Sequence, residues 1–187
     1  MSSVIGLSGY GRTGKDEVAK ILVEQHGYIR VAFADILRAA VYALNPYLCL
    51  DDDLPALGVY RLQELVDADG WDLCKVEYPE VRRLLQVMGT EVGRGLIGDN
   101  VWVDTAFRGL SVSRKYVFTD CRFVNEAEAI QARGGRVIRI TRPGVGPVNS
   151  HASEVALDGF TFSDRIENDG TLRDLARKVN DQVLVTA

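Results

Sequence analysis

This chain is poor in residues that crosslink, ligate metals or break helices: three cysteines, two histidines and five prolines in 187 residues. Cys49, Cys74 and Cys121 lie far apart, without a metal or redox spacing. That excludes a disulfide scaffold and a thiolate metal centre, and a reducing compartment is expected. No apolar run reaches bilayer-spanning length and no leader is read before the first strand, so neither a membrane anchor nor export is expected. The formal net charge of −4 argues against broad electrostatic binding to nucleic acid. Lysine is scarce too, at 5 against 17 arginines. That bias suits bidentate phosphate contacts, although coding-sequence composition produces it as well. What is plentiful is apolar: 47% of residues are hydrophobic, enough for one well-buried cytoplasmic domain over 1–187.

Residues 9 to 16, Gly9-Tyr10-Gly11-Arg12-Thr13-Gly14-Lys15-Asp16, carry the most information. They preserve Gly-x-x-x-x-Gly-Lys, but Asp16 stands where Ser or Thr is usual. An apolar strand, Ser3 to Leu7, precedes them, and a helix with acidic residues in its first turn follows from Asp16 to Val23. Glycines 9, 11 and 14 let successive N–H groups curl around an anion at the helix N-terminus. Arg12 and Thr13 lie inside that curl, and Lys15 adds charge for the β- and γ-phosphates. A nucleoside triphosphate is the expected ligand. Asp16 either ligates Mg²⁺ as a carboxylate or simply suits a helix N-terminus.

Further along, Tyr28–Phe33 reads as a second strand and Asp35–Leu44 as a helix. Residues 45–79 read as irregular, with Asp51-Asp52-Asp53 and a short helix near Arg61–Ala68. Helices are expected at Glu80–Gly95, with Val81, Leu84, Leu85 and Met88 on one face, and at Asn100–Leu110. Tyr116–Thr119 reads as a buried strand and Glu126–Arg133 as a helix ending at Gly134-Gly135. Arg136–Thr141 follows as a strand alternating arginine with aliphatic residues. Phe162–Glu167 and Leu172–Leu184 complete the series as strand and helix. Such alternation implies a doubly wound, mainly parallel sheet, with ligands beyond the carboxyl ends of its strands.

That rule singles out Asp35 and Arg38 after the second strand, where Asp35 either caps a helix or faces an accepting substrate. Asp120 ends the Tyr116–Thr119 strand. It is either a cap on the next turn or a direct or indirect Mg²⁺ partner. Arg122 is a candidate for the transferring phosphoryl or the acceptor phosphate. Arg83, Gln86 and Thr90 share helical spacing, with Arg94 beyond them. Gln86 suits a base edge and the arginines a phosphate, although a solvated face predicts the same residues. His151, Ser153 and Glu154 follow a Pro/Gly-rich loop and suggest a lid over the phosphates. His26 reads as a surface residue.

Seven stretches in order resemble the deoxynucleoside monophosphate kinases of tailed bacteriophages, within the wider nucleoside monophosphate kinase group. They are Gly14-Lys15-Asp16; Phe33-Ala34-Asp35 with Arg38; and Leu85-Gln86 with Gly89-Thr90-Glu91 and Arg94. Thr119-Asp120-Cys121-Arg122-Phe123 with Asn125-Glu126 is the fourth. Arg139 to Pro143, His151 to Glu154 and Ile166 to Gly170 complete the set.

The resemblance implies an α/β, three-layer P-loop kinase fold: five parallel strands in the order 2-3-1-4-5, helices on both faces and a small lid. Residues 36–110 would be a mostly helical acceptor-binding region and 143–160 the lid. It further implies ATP as donor, Mg²⁺ as cofactor with Asp16 and Asp120 as its carboxylates, and a deoxynucleoside monophosphate as acceptor. Lys15, Asp120 and Arg122 would be catalytic. Asn168, Asp169 and Gly170 would lie by the adenine, with Arg142 stacked on it. Asp35, Arg38, Arg83, Gln86, Thr90, Arg94 and Arg122 would surround the acceptor. A phage-encoded chain would act in the host cytoplasm. A homodimer stays open, as do a dephospho-coenzyme A kinase-like activity and a non-catalytic nucleotide switch.

Overall fold

The computed structural model describes residues 3–49, 58–147 and 155–183. The chain divides into two compact units, one of residues 1–33 and 106–187 and the other of 34–105.

The first unit is built on a parallel sheet of β1 (Val4–Ser8), β2 (Ile29–Val31), β5 (Tyr116–Phe118), β6 (Arg136–Thr141) and β7 (Asp164–Glu167). The spatial order is β2-β5-β1-β6-β7. Counting this sheet's own strands, that is 2-3-1-4-5, the expected order. Every pairing is parallel, with Ile5 opposite Val117 on one side and Arg136 on the other.

One face of the sheet packs Ile5, Leu7, Val117, Ile138, Ile140 and Ile166 against Val18, Ala19 and Leu22 of α1 (Lys15–His26). Leu175 and Val179 of α7 (Leu172–Val183) join the same cluster. On the other face Ile130 of α6 (Val124–Gln131) lies over Gly6, where a Cβ would collide with its side chain. Phe118 stacks there on Phe33 at 4.6 Å and meets Phe107 at 4.7 Å. Burial on both faces explains β6: Val137 to Ile140 are all buried, Arg139 among them.

The second unit holds α2 (Phe33–Leu44) beyond its first residue, a ribbon of β3 (Tyr47–Cys49) and β4 (Val59–Arg61), α3 (Leu62–Glu77) and α4 (Pro79–Gln86). β3 and β4 are antiparallel, and the Arg61 guanidinium lies 3.6 Å from the Tyr47 ring centre. Val41, Leu48, Leu62, Leu65, Cys74 and Val81 form the buried core. After Gln86 the chain continues as a π-helix over Val87–Ile97, and α5 (Val101–Arg108) follows. Trp102 donates its indole N–H to the Gly89 carbonyl at 2.9 Å and lies where a Cβ on Gly93 would be. The missing Cβ of Gly93 therefore admits the indole.

Several expected boundaries are corrected. The second strand stops at Val31, because the Phe33 N–H is taken by the Asp120 carboxylate and opens α2 instead. Residues 45–79 are not irregular where described: β3, β4 and α3 occupy them. Gly70, at φ +74°, breaks α3 and with it the apolar periodicity that would have marked sixteen helical residues. The helix expected to end at Gly95 changes winding after Gln86. The last strand begins at Asp164, not Phe162. Asp51 to Asp53 lie outside the described residues.

Candidate active site

The loop between β1 and α1 is held by its own backbone polar groups. Gly9 adopts φ +147°, and a Cβ there would fall on the Ile140 carbonyl oxygen of β6. Gly14 adopts φ +100° at the N-cap of α1, where a Cβ would sit 2.5 Å from Asn168 Nδ2. Arg12 also takes the left-handed region, at φ +65°, an uncommon choice for a side chain with a Cβ. Gly11 lies in the turn before it.

Thr13 is buried, and its hydroxyl donates to the Tyr10 carbonyl at 3.0 Å. The Lys15 ammonium spans the loop, donating to Gly9 O at 2.8 Å and Tyr10 O at 2.6 Å. Its charge is thereby fixed above the α1 N-terminus, the place where backbone N–H groups favour phosphate. Asp16, exposed, and Glu17 occupy the first turn of α1.

Past β5, Asp120 Oδ1 accepts the Phe33 N–H at 2.9 Å. The carboxylate thus caps α2 from the head of the turn that follows β5. That following turn is held by Glu126, a buried residue whose Oε2 accepts Arg122 N at 2.8 Å and Phe123 N at 3.0 Å. Glu126 therefore sets the backbone from which the exposed Arg122 projects. Its capping role three residues into a helix carries no sequence signature, because Phe123 at the N-cap is not one of the Ser, Thr, Asp or Asn residues that mark a capping box. Between them Cys121 is buried, and burial pushes its thiol well up, helped by the charges of Glu126 and Asp120.

Asn168, after β7, is buried and donates Nδ2 to Thr13 O at 3.0 Å. Its backbone N–H bonds Thr141 O at 2.7 Å. Asp169 pairs with Lys178 at 2.5 Å, and that ammonium holds its carboxyl below the usual range. Gly170 packs against Asp174, 2.9 Å from where its Cβ would be. Arg142 is exposed and its carbonyl closes a turn with Val145 N at 3.1 Å.

Within the second unit, Asp35 lies in the first turn of α2, 3.6 Å from Arg38. The Arg83 guanidinium makes a bidentate pair with Glu80, at 2.7 and 2.6 Å. Gln86 and Thr90 are exposed, and Arg94 donates to Asp99 O at 3.3 Å. Arg83 and Gln86 belong to α4, whereas Thr90 and Arg94 ride on the π-helix, so the regular spacing read from the sequence breaks after Gln86. His26 is half-buried, 2.8 Å from Asn180 of α7. His151, Ser153 and Glu154 lie outside the described residues. Among the described residues no group of three or more His, Cys, Asp or Glu side chains could hold a metal ion alone.

Residues 71–179 match the deoxynucleotide monophosphate kinase family. A protein of Acanthamoeba polyphaga mimivirus, provisionally named for the same activity, is 32% identical over 168 residues, 82% of this chain and 81% of its own. The chain belongs to this family. The deoxynucleotide monophosphate kinase of Escherichia phage RB69 is 34% identical over 104 residues, 53% of this chain and 43% of that one. The match thus spans less than half of that phage relative. Among solved structures, dephospho-CoA kinase from Campylobacter jejuni aligns over 100% of this chain and 98% of its own, at 13% identity and a TM-score of 0.43.

Proposed function

We propose that this chain transfers the γ-phosphoryl group of ATP to a deoxynucleoside monophosphate, giving ADP and the deoxynucleoside diphosphate. The observation that carries the reading is the Lys15 ammonium fixed across the β1–α1 loop, in a chain of a kinase family. An oxygen of the acceptor phosphate forms the new bond to the γ-phosphorus. The bond to the β–γ bridging oxygen breaks, and the charge left on ADP is met by loop N–H groups and Lys15. No protein nucleophile is needed.

Bound Mg²⁺ would neutralise charge on the phosphates. Asp16 and Asp120 are its proposed carboxylates, a small set that suits an ion held largely by phosphate and water. Arg122 is assigned to the transferring or acceptor phosphate. Asp35, Arg38, Arg83, Gln86, Thr90 and Arg94 are assigned to the acceptor, with Arg83 having to leave Glu80. Arg142, Asn168, Asp169 and Gly170 are assigned to the adenine side, and 143–160 to a lid. No helix among the described residues is long and apolar enough to cross a membrane; action in a host cytoplasm is part of this proposal.

ADP release should be followed with dAMP, dCMP, dGMP and dTMP, with ribonucleotides and dephospho-coenzyme A as controls. Formation of ADP that depends on a deoxynucleotide is expected, and Lys15→Ala should lower turnover by about 10²-fold or more with the fold intact. Tight ATP binding without acceptor-dependent ADP would instead identify a nucleotide switch. Turnover only with dephospho-coenzyme A would identify the other kinase.

A further inference from the structure

The phosphate loop has an anchor that neither its motif nor the reaction explains. Arg139, the fourth residue of β6, is only 7% exposed. Its Nη2 meets Asp158 Oδ1 at 2.9 Å, and its Nη1 lies 3.4 Å from the Ser8 hydroxyl at the end of β1. The guanidinium sits 4.5 Å from the centre of the Tyr10 ring and 5.4 Å from that of Phe162. The Tyr10 hydroxyl donates to the same Asp158 Oδ1 at 2.8 Å.

Tyr10 is thus held at both ends. Its ring and hydroxyl are fixed by Arg139 and Asp158, and its carbonyl oxygen receives Lys15 at 2.6 Å and Thr13 at 3.0 Å. A buried guanidinium is costly unless paired. Here one carboxylate oxygen satisfies both it and a loop hydroxyl, so the three groups order one another. Neighbouring Asp158 and burial also raise the Tyr10 hydroxyl above its ordinary value, which keeps it a donor.

We propose that Arg139 and Asp158 are positioning residues for ATP. They act through Tyr10, whose carbonyl places the Lys15 ammonium and the Thr13 turn. The inference rests on reading the loop as the ATP site, and it assigns the three residues no contact with the acceptor. Tyr10→Phe and Asp158→Ala each remove one side of the contact while leaving Lys15, Thr13 and the loop glycines unsubstituted.

The test is calorimetric titration of wild type, both single variants and the double variant with ATP, and separately with dTMP. Each single variant should raise the ATP Kd by about tenfold or more, the size of one hydrogen bond to a charged group. The double variant should be no weaker than the weaker single one, because the two act through one contact. The dTMP Kd should stay unchanged. An unchanged ATP Kd would overturn the proposal, as would equal losses for both ligands or full additivity. A fall in melting temperature with unaltered ATP binding would reduce the contact to a structural one and also overturn it. Wild type that binds ATP but makes no ADP would sink the kinase reading while leaving these titrations decisive for the Tyr10–Asp158 contact through which Arg139 is proposed to act. Wild type that turns over while the variants bind ATP normally would do the reverse.

Discussion

The Asn168 carboxamide donates to the Thr13 carbonyl at 3.0 Å, across 155 positions of sequence. The residue following β7 thereby buttresses the centre of the phosphate loop, and it fills the space a side chain on Gly14 would need. Asn168→Asp should weaken ATP and inorganic tripolyphosphate alike, since a carboxylate would face a carbonyl oxygen in a buried place. The cost to stability should be about 1–3 kcal/mol. Titration with both ligands provides the check: a loss confined to ATP would leave Asn168 its adenine-side role alone, and no loss would detach it from the loop.

Two left-handed glycines should respond differently to alanine. At Gly9 the new Cβ would strike the Ile140 backbone oxygen, and φ is +147°. Neither β6 nor the loop can yield without moving the sheet, so Gly9→Ala should cost more than about 2 kcal/mol and abolish ATP binding. At Gly27 φ is +70° with nothing within 4 Å, so Gly27→Ala should cost only about 1 kcal/mol. Urea unfolding of the two variants measures the difference; equal costs would mean that the close approach to Ile140 is unimportant.

The thiols should react unequally. Cys49 is exposed, whereas Cys74 and Cys121 are buried. Burial raises both buried thiols, and nearby carboxylates add to it: Asp69 for Cys74, Glu126 and then Asp120 for Cys121. A thiol-titrating reagent at pH 8 should therefore count one group in the native protein and three in denaturant. Rapid modification of Cys121 in the folded state would contradict its enclosure.

Acid stability should carry a signature of α7. Lys178 and the Thr171 hydrogen bonds hold Asp169 and Asp174 below their ordinary carboxylate values. A depressed folded-state value contributes stability that is present above the unfolded value, near pH 3.8, and lost as pH falls through the folded one. Lys178→Met should therefore flatten the stability profile below pH 4 and leave its slope near neutrality unchanged. Denaturant midpoints between pH 2 and 7 provide the check. An equally steep acid limb in the variant would show that Lys178 does not set Asp169.

Legibility followed locality. Arg136–Thr141 was readable to the residue because β-branched and apolar side chains bounded by Gly134-Gly135 admit little else. The β1–α1 loop was readable because its flanking strand, glycines and lysine all fall between Val4 and Lys15. α3 was readable only in its first half, as a short helix near Arg61–Ala68, since Gly70 interrupts its pattern. The reciprocal Thr171–Asp174 bonds that open α7 were also passed over, although Thr-x-x-Asp is a local signal.

By itself the sequence determined the glycine-rich loop between β1 and α1, the alternation of strand and helix, and the family, because these depend on residue type at short spacing. Tertiary structure decided which residues meet. Asp120 caps Phe33 from 87 positions away, Asn168 meets Thr13, and Arg139 with Asp158 grips Tyr10. Parallel strands place their carboxyl ends side by side irrespective of separation along the chain. No periodicity records such partners, since the burial that makes each polar contact necessary exists only once the sheet has formed.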